Sequence, residues 1–230
     1  MPTVKGATRA SRTLATRRRM QSAAHDLFVE QGYAATTMDQ IATRAGVAVQ
    51  TVYYTFRSKG RLLCEVVDVV AAGGDVTPVM EREWAREMLA ASSAQRVLAL
   101  GVEHGTAIYE RVSDLWPSLG AAASVDPDVA AYWRTIGAGR RDGQGRMVAR
   151  VEELEGLRYG LDAVHATDLT VVLFGHEVYR GLVIDSGWSP GAYRAWLFTT
   201  LAQQLLASEP DPQAVGNLSY AGYLGGSDRA

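Results

Sequence analysis

Between Thr37 and Phe56 the apolar residues fall at helical spacing on either side of a single glycine, which leaves the segment very few folds to adopt. Met38, Ile41, Ala42 and Ala45 recur at intervals of three and four, so they form one face of a short helix. Thr37 and Gln40 stand three residues apart at its start, the spacing of a capping box. Gly46 supplies a sharp turn, and a second short helix is predicted from about Ala48 to Thr55. Two helices joined this way within about twenty residues are a helix-turn-helix.

Stepping the second helix at about 100° per residue puts Ala48, Val52 and Thr55 on one side, and lets Val52 and Phe56 reach the first helix. Val49, Gln50, Tyr53 and Tyr54 then face away, with Thr51 on the flank. In water that outward face is a poor choice for a short helix. Against a major groove, Gln50 can pair with adenine and the methyls of Val49 can meet a thymine methyl. The hydroxyls of Thr51, Tyr53 and Tyr54 can donate to phosphates, which fix register. Lys59 and Arg61 open the next helix, where cations oppose the helix dipole unless an anion such as phosphate sits there. The same packing also occurs in proteins that never touch DNA, and the tyrosine pair can be a patch covered by the rest of the chain.

Charge points toward a polyanion. The net charge of −2 hides ten Lys/Arg against three acids in residues 1–63, and a net acidic remainder. A basic head on an acidic body suggests such a partner for one end only. Arg17, Arg18 and Arg19 form its densest basic run. Apolar content of 47% describes an ordinary globular protein. No run approaches the ~20 apolar residues of a membrane span, and no apolar stretch follows the N-terminal arginines, so no membrane association and a cytoplasmic location are expected. The single cysteine, Cys64, sits in an apolar helical run and reads as a small core residue.

No stretch alternates in the manner of a strand, and helical periodicity is general. The fold class is all-α with about nine or ten helices, a three-helix head bearing the helix-turn-helix and a larger C-terminal helical domain. The first helix is predicted from about Thr16 to Gln31, with Ala24, Leu27 and Phe28 inward and Gly32 closing it. The strongest later helices are Gln95–Leu115, Val129–Leu154, Asp168–Asp185 and Gly191–Ala207. The boundaries are a flexible basic arm over 1–13, a DNA-binding domain over 14–74 with its motif at about 37–56, a body over 75–207 and a flexible tail over 208–230.

The order Phe28…Gly32-Tyr33…Thr36-Thr37-Met38…Ile41-Ala42…Ala45-Gly46-Val47…Thr51-Val52-Tyr53-Tyr54…Phe56…Ser58-Lys59…Leu62-Leu63 resembles the N-terminal domain of tetracycline-repressor-type (TetR family) transcriptional regulators. The resemblance covers about residues 14–74. It implies a homodimer whose two heads read a palindromic duplex operator, with a small-molecule pocket and a dimer interface in the C-terminal domain. It also implies that Thr37, Thr51, Tyr53, Tyr54 and Lys59 touch the DNA backbone and that Val49 and Gln50 read bases. Thr55 stands where a His contacting phosphate is frequent, Ala48 where a capping Ser is common, and Gly60-Arg61 where the first turn is usually acidic.

In the body, "GWSPGAYRAWL" and the helix before it look like the final helix pair of many family members. Leu169, Val172, Leu173, His176 and Val183 on one helix, with Trp196, Leu197, Thr200, Leu201, Gln204 and Leu205 on the other, are the expected dimer stripe. Trp84, His104, Tyr109, Trp116, Tyr132, Trp133 and Phe174 are the candidates for a pocket taking an unidentified flat or greasy effector, with His104 and Tyr109 as polar handles. Singly, each is better explained as core. The four histidines show no metal-ligand spacing, and no phosphate-binding glycine loop follows a strand. No cofactor and no enzymatic activity are therefore expected. The alternative to a ligand-released repressor is a DNA-binding activator or architectural protein without a ligand; an all-α enzyme is more remote.

Overall fold

The computed structural model describes residues 9–75 and 77–207. The first eight residues of the predicted arm and the predicted tail over 208–230 lie outside them. The described residues are helical, with no strand among them and one antiparallel bridge, Leu157 to Leu206. None of their helices is long and apolar enough to cross a membrane. They carry eleven α-helices with short 3₁₀ and π segments between them. The chain divides into two compact units, Met1–Gly74 with Asp114–Thr135, and Asp75–Ser113 with Ile136–Ala230.

The first unit is built on α1 (Arg9–Ala35), α2 (Met38–Ala45), α3 (Val49–Phe56) and α4 (Lys59–Ala72). Helix α1 begins seven residues before the predicted Thr16 and buries Met20, Ala24, Leu27 and Phe28. Gly32, at φ 78°, breaks its helical geometry, as a conformation open chiefly to glycine should. Thr37 accepts from the Gln40 N–H while the Gln40 side chain bonds back, completing the capping box. Gly46 adopts φ 66° and closes α2 with its N–H on the Ala42 and Thr43 carbonyls. Helix α7 (Trp116–Ala123) packs on α1, where Ser118 donates to the Phe28 carbonyl at 2.6 Å. The start of α8 (Pro127–Glu153) belongs to the same unit.

One polar knot seats α4 against α1. The Lys59 ammonium donates to the Tyr33 and Thr36 carbonyls at 2.7 and 2.8 Å and lies 4.2 Å above the Tyr33 ring. A helix end has carbonyls without intrahelical partners, and a cation there relieves them. The Tyr33 hydroxyl donates to Asp126 Oδ2 at 2.6 Å. Asp126 also accepts from the N–H groups of Asp128 and Val129 through Oδ1, capping α8. A Cβ on Gly60 would stand 2.5 Å from Asp126 Oδ2, so only glycine lets this carboxylate reach the first turn of α4. Asp128 pairs with Arg61 at 3.1 Å. The anion expected at the α4 N-terminus is thus supplied by the chain itself.

The second unit comprises a 3₁₀ turn (Val79–Glu81), α5 (Glu83–Ala90), α6 (Ala94–Val112), the rest of α8, α9 (Ala163–Leu173), α10 (His176–Tyr179), a π turn (Arg180–Asp185) and α11 (Pro190–Leu205). Val97, Leu98, Val148, Val151, Leu197, Phe198, Leu201 and Leu205 are fully buried and tie α6, α8 and α11 together. The single helix predicted over Asp168–Asp185 is broken. Helix α9 ends at Phe174 (φ −93°, ψ 39°), Gly175 turns the chain, and the helix resumes as α10 and the π turn. A Cβ on Gly175 would lie 3.0 Å from the Val172 carbonyl, so a glycine suits the break.

The Tyr33 hydrogen bond holds the Asp126 carboxyl below the ordinary carboxylate range, backbone N–H groups and Lys59 acting in the same direction. A depressed carboxylate contributes stability that is complete above its unfolded pKa, about 3.9, and fades as pH falls through the folded value. Asp126→Asn should therefore lower stability at neutral pH and flatten the decline below about pH 4, measured by chemical denaturation across pH.

Candidate nucleic-acid interface and body sites

Helix α3 is divided between core and solvent along its length. Val52 is fully buried and Phe56 is 3% exposed, while Tyr53 is 49% and Tyr54 79% exposed. Gln50 and Thr51 are exposed and Val49 is half-buried. The outward face predicted from spacing is therefore the exposed face. No side chain caps α3 at Ala48, and the Thr51 N–H bonds to the Ala48 carbonyl at 2.9 Å. Arg18 and Arg19 are exposed on α1.

Four of the residues expected at the DNA make contacts within the chain. Lys59 is half-buried and engaged with the end of α1. Arg17 is paired with Glu65, with its Nε 2.6 Å from Oε1, and its guanidinium lies 4.8 Å from the Phe56 ring centroid. Its charge ties α1 to α4 because Glu65 is the facing carboxylate. The Thr55 hydroxyl donates to the Thr51 carbonyl at 2.7 Å. Thr37 is exposed, but its hydroxyl oxygen caps α2. Arg57 is a further exposed cation, in the turn after Phe56 with φ 69°, a left-handed conformation unusual for arginine. Nothing in residue spacing signals it.

The seven aromatic candidates are not gathered in one place. Trp116, Tyr132 and Trp133 belong to the first unit, where the two indoles lie 4.9 Å apart and Tyr132 donates to Asp68 at 2.5 Å. Trp84, His104, Tyr109 and Phe174 belong to the second. Trp84 stacks on His104 at 4.8 Å, and burial pulls the His104 pKa down. Tyr109 meets Phe174 edge-on at 5.6 Å and donates to its carbonyl at 2.8 Å. Tyr109 is also 5.5 Å from the fully buried His176, whose pKa falls to about 4 through burial and the nearby Arg140 and Arg180.

The dimer stripe is divided too. Leu169 and Val172 are exposed and, with Asp168, Leu173, Thr200 and Gln204, line an apolar groove between α9 and α11. Val183 and Trp196 are half-buried. Leu197, Leu201, Leu205 and His176 are fully buried in their own chain and cannot meet a partner. They face α6 and the core because α11 is apolar on more than one side. Cys64 is half-buried, with burial pushing its thiol up to about 11.

Residues 22–66 match the family described as bacterial regulatory proteins, tetR family. An uncharacterized HTH-type transcriptional regulator of Bacillus subtilis (strain 168), YdeS, is 26% identical over 170 residues, which are 73% of this chain and 79% of that protein. A putative regulator from Saccharomonospora viridis solved in complex with choline shares the fold at a TM-score of 0.65 and 17% identity, over 84% of this chain and 98% of its own. NalD, the secondary repressor of the MexAB-OprM multidrug efflux pump in Pseudomonas aeruginosa, does so at 0.63 and 18%, over the same shares. With a matched helix-turn-helix and an outward face of tyrosines and glutamine, residues 22–66 form a domain similar to the bacterial regulatory proteins of the tetR family.

Proposed function

We propose that the protein is a repressor that binds a palindromic operator as a homodimer and leaves it when the body takes up a small organic molecule. One observation carries the DNA part: α3 buries Val52 and Phe56 completely or nearly so, yet leaves Tyr54 79% exposed beside Gln50, Thr51 and Tyr53. A helix so one-sided wants a second surface, and its donors match phosphates and an adenine edge. NalD is a repressor and the Saccharomonospora protein was solved with choline, which supports repression and the binding of a small organic molecule.

The two-fold contact is proposed along the α9–α11 groove through Leu169, Val172, Leu173, Thr200 and Gln204, flanked by Val183 and Trp196. Exposed apolar side chains rimmed by polar ones mark such interfaces. Effector bound in the body favours a head spacing that cannot reach successive major grooves. Coupling of ~1–3 kcal/mol would weaken operator binding about 5- to 150-fold.

Selecting bound duplexes from a random pool, then screening compounds for release, tests the whole proposal. Gln50→Ala should cost ~1–3 kcal/mol mainly at one base pair, whereas Tyr53→Phe should weaken all sequences alike. Replacing Arg18 or Arg57 with Gln should each lower the salt slope by about 0.9 if each neutralises one phosphate. Unaltered base preference in the Gln50 variant would overturn the recognition role. Light scattering at micromolar concentration should give a dimer mass, and Val172→Arg should give a monomer mass with unchanged helical circular dichroism.

A further inference from the structure

Buried polar atoms without hydrogen-bond partners among the described residues concentrate in the second unit. They include Arg150 Nε and four others, Thr106 Oγ1, Arg140 Nε, Gln144 Oε1 and the Tyr193 hydroxyl. Thr106 and Tyr193 are fully buried and Gln144 is 7% exposed. Leaving such groups unsatisfied is unfavourable, so these four need an explanation.

They are also neighbours. The Gln144 amide donates to the Phe174 carbonyl at 3.3 Å, the same oxygen that receives the Tyr109 hydroxyl. Thr106 lies three residues before Tyr109 on α6 and so shares its face. The Tyr179 ring is 5.9 Å from Tyr109 and 5.0 Å from Tyr193. Arg140 acts on both Tyr109 and His176, lowering the His176 pKa together with burial. Arg140 thus brings positive charge to Tyr109 and His176 while Glu177 acts oppositely on Tyr109, and three of the four groups can donate while Gln144 Oε1 accepts.

A hydrocarbon seat adjoins them. The Phe174 ring rests on Gly105, where a Cβ would stand 2.5 Å from Cζ. Phe174 ends α9 just before the Gly175 turn and the π segment, where backbone hydrogen bonding is already irregular. Taking the body as the effector-binding part proposed above, we propose that its ligand is a small apolar monocarboxylate. Its carboxylate pairs with Arg140, with the Tyr193 and Thr106 hydroxyls as further donors. Its hydrocarbon takes the place of the Phe174 ring over Gly105.

Titration calorimetry on the full chain, with 2-naphthoate, decanoate, 2-naphthol and 2-naphthyltrimethylammonium as probes, tests this. At least one carboxylate should bind roughly tenfold or more tightly than the neutral and cationic probes. Arg140→Met and Tyr193→Phe should each remove about tenfold of that affinity and leave naphthol binding alone. Because Tyr193→Phe deletes an unsatisfied buried hydroxyl, it should not lower the thermal midpoint of the free protein; a lower midpoint with unchanged carboxylate affinity would mark a structural tyrosine and overturn the assignment. No carboxylate binding, or equal binding of 2-naphthol, would overturn it as well. If 2-naphthol or the ammonium releases the protein from its selected DNA while neither carboxylate binds, effector control stands and the carboxylate site falls. If a carboxylate binds as expected but DNA binding is unaffected, the site stands and effector control falls.

Discussion

The head hangs on the contact between the end of α1 and the start of α4, where Lys59, Tyr33 and Asp126 satisfy one another. The carbonyls of Tyr33 and Thr36 need donors, and the Lys59 ammonium supplies two charge-assisted bonds from the first turn of α4. Placing a cation at a helix N-terminus opposes the dipole, and Asp126 and Asp128 offset that by bringing carboxylates to the same turn. Gly60 is the sequence condition for this, since a side chain there would collide with Asp126. The departure from an acidic first turn is thus compensated from the α7–α8 turn, more than sixty residues away. The orientation of α2 and α3, and so the aim of Tyr53 and Tyr54, depends on α1 and α4 holding their register.

The head is legible in the sequence because each of its helices is one-sided. In α3, Val52 and Phe56 point one way and hydroxyl-bearing residues the other, so 100° steps separate core from surface correctly. The cap at Thr37 and the turn at Gly46 are local, and local chemistry can be read locally. Lys59 and Arg17 are read as free cations because their partners, the end of α1 and Glu65, are 23–48 residues distant. Periodicity reports that a side chain is polar. It does not report which distant group it will meet.

In the body the same method loses resolution for a physical reason. Helix α11 is apolar around much of its circumference, with Tyr193, Leu197, Leu201 and Leu205 buried and Trp196 and Thr200 only half covered. An apolar stripe says that something covers it, but not whether the cover is α6 or a second chain. The aromatic set is likewise divided: Trp116, Tyr132 and Trp133 fall in the unit that contains the head, a matter of topology that composition cannot encode. The break at Phe174–Gly175 is one glycine in an apolar run, a weak signal that carries the turn where Tyr109 and Gln144 converge.

These assignments together change the character of the recognition surface. Lys59 and Arg17 are engaged in holding helices, Arg18, Arg19 and Arg57 are exposed, and α3 itself carries no charge. For the proposed phosphate contacts it offers neutral donors, the hydroxyls of Thr51, Tyr53 and Tyr54, on a helix without a side-chain cap at Ala48. A missing cap costs about 1 kcal/mol in the free protein, but it leaves backbone donors and the positive end of the dipole unengaged by the protein's own side chains. Neutral donors release no counterions, so they contribute position and register without the sequence-independent grip that lysines and arginines give. On the proposed reading, such a surface holds nonspecific DNA weakly, and discrimination among sequences rests on Gln50 and Val49.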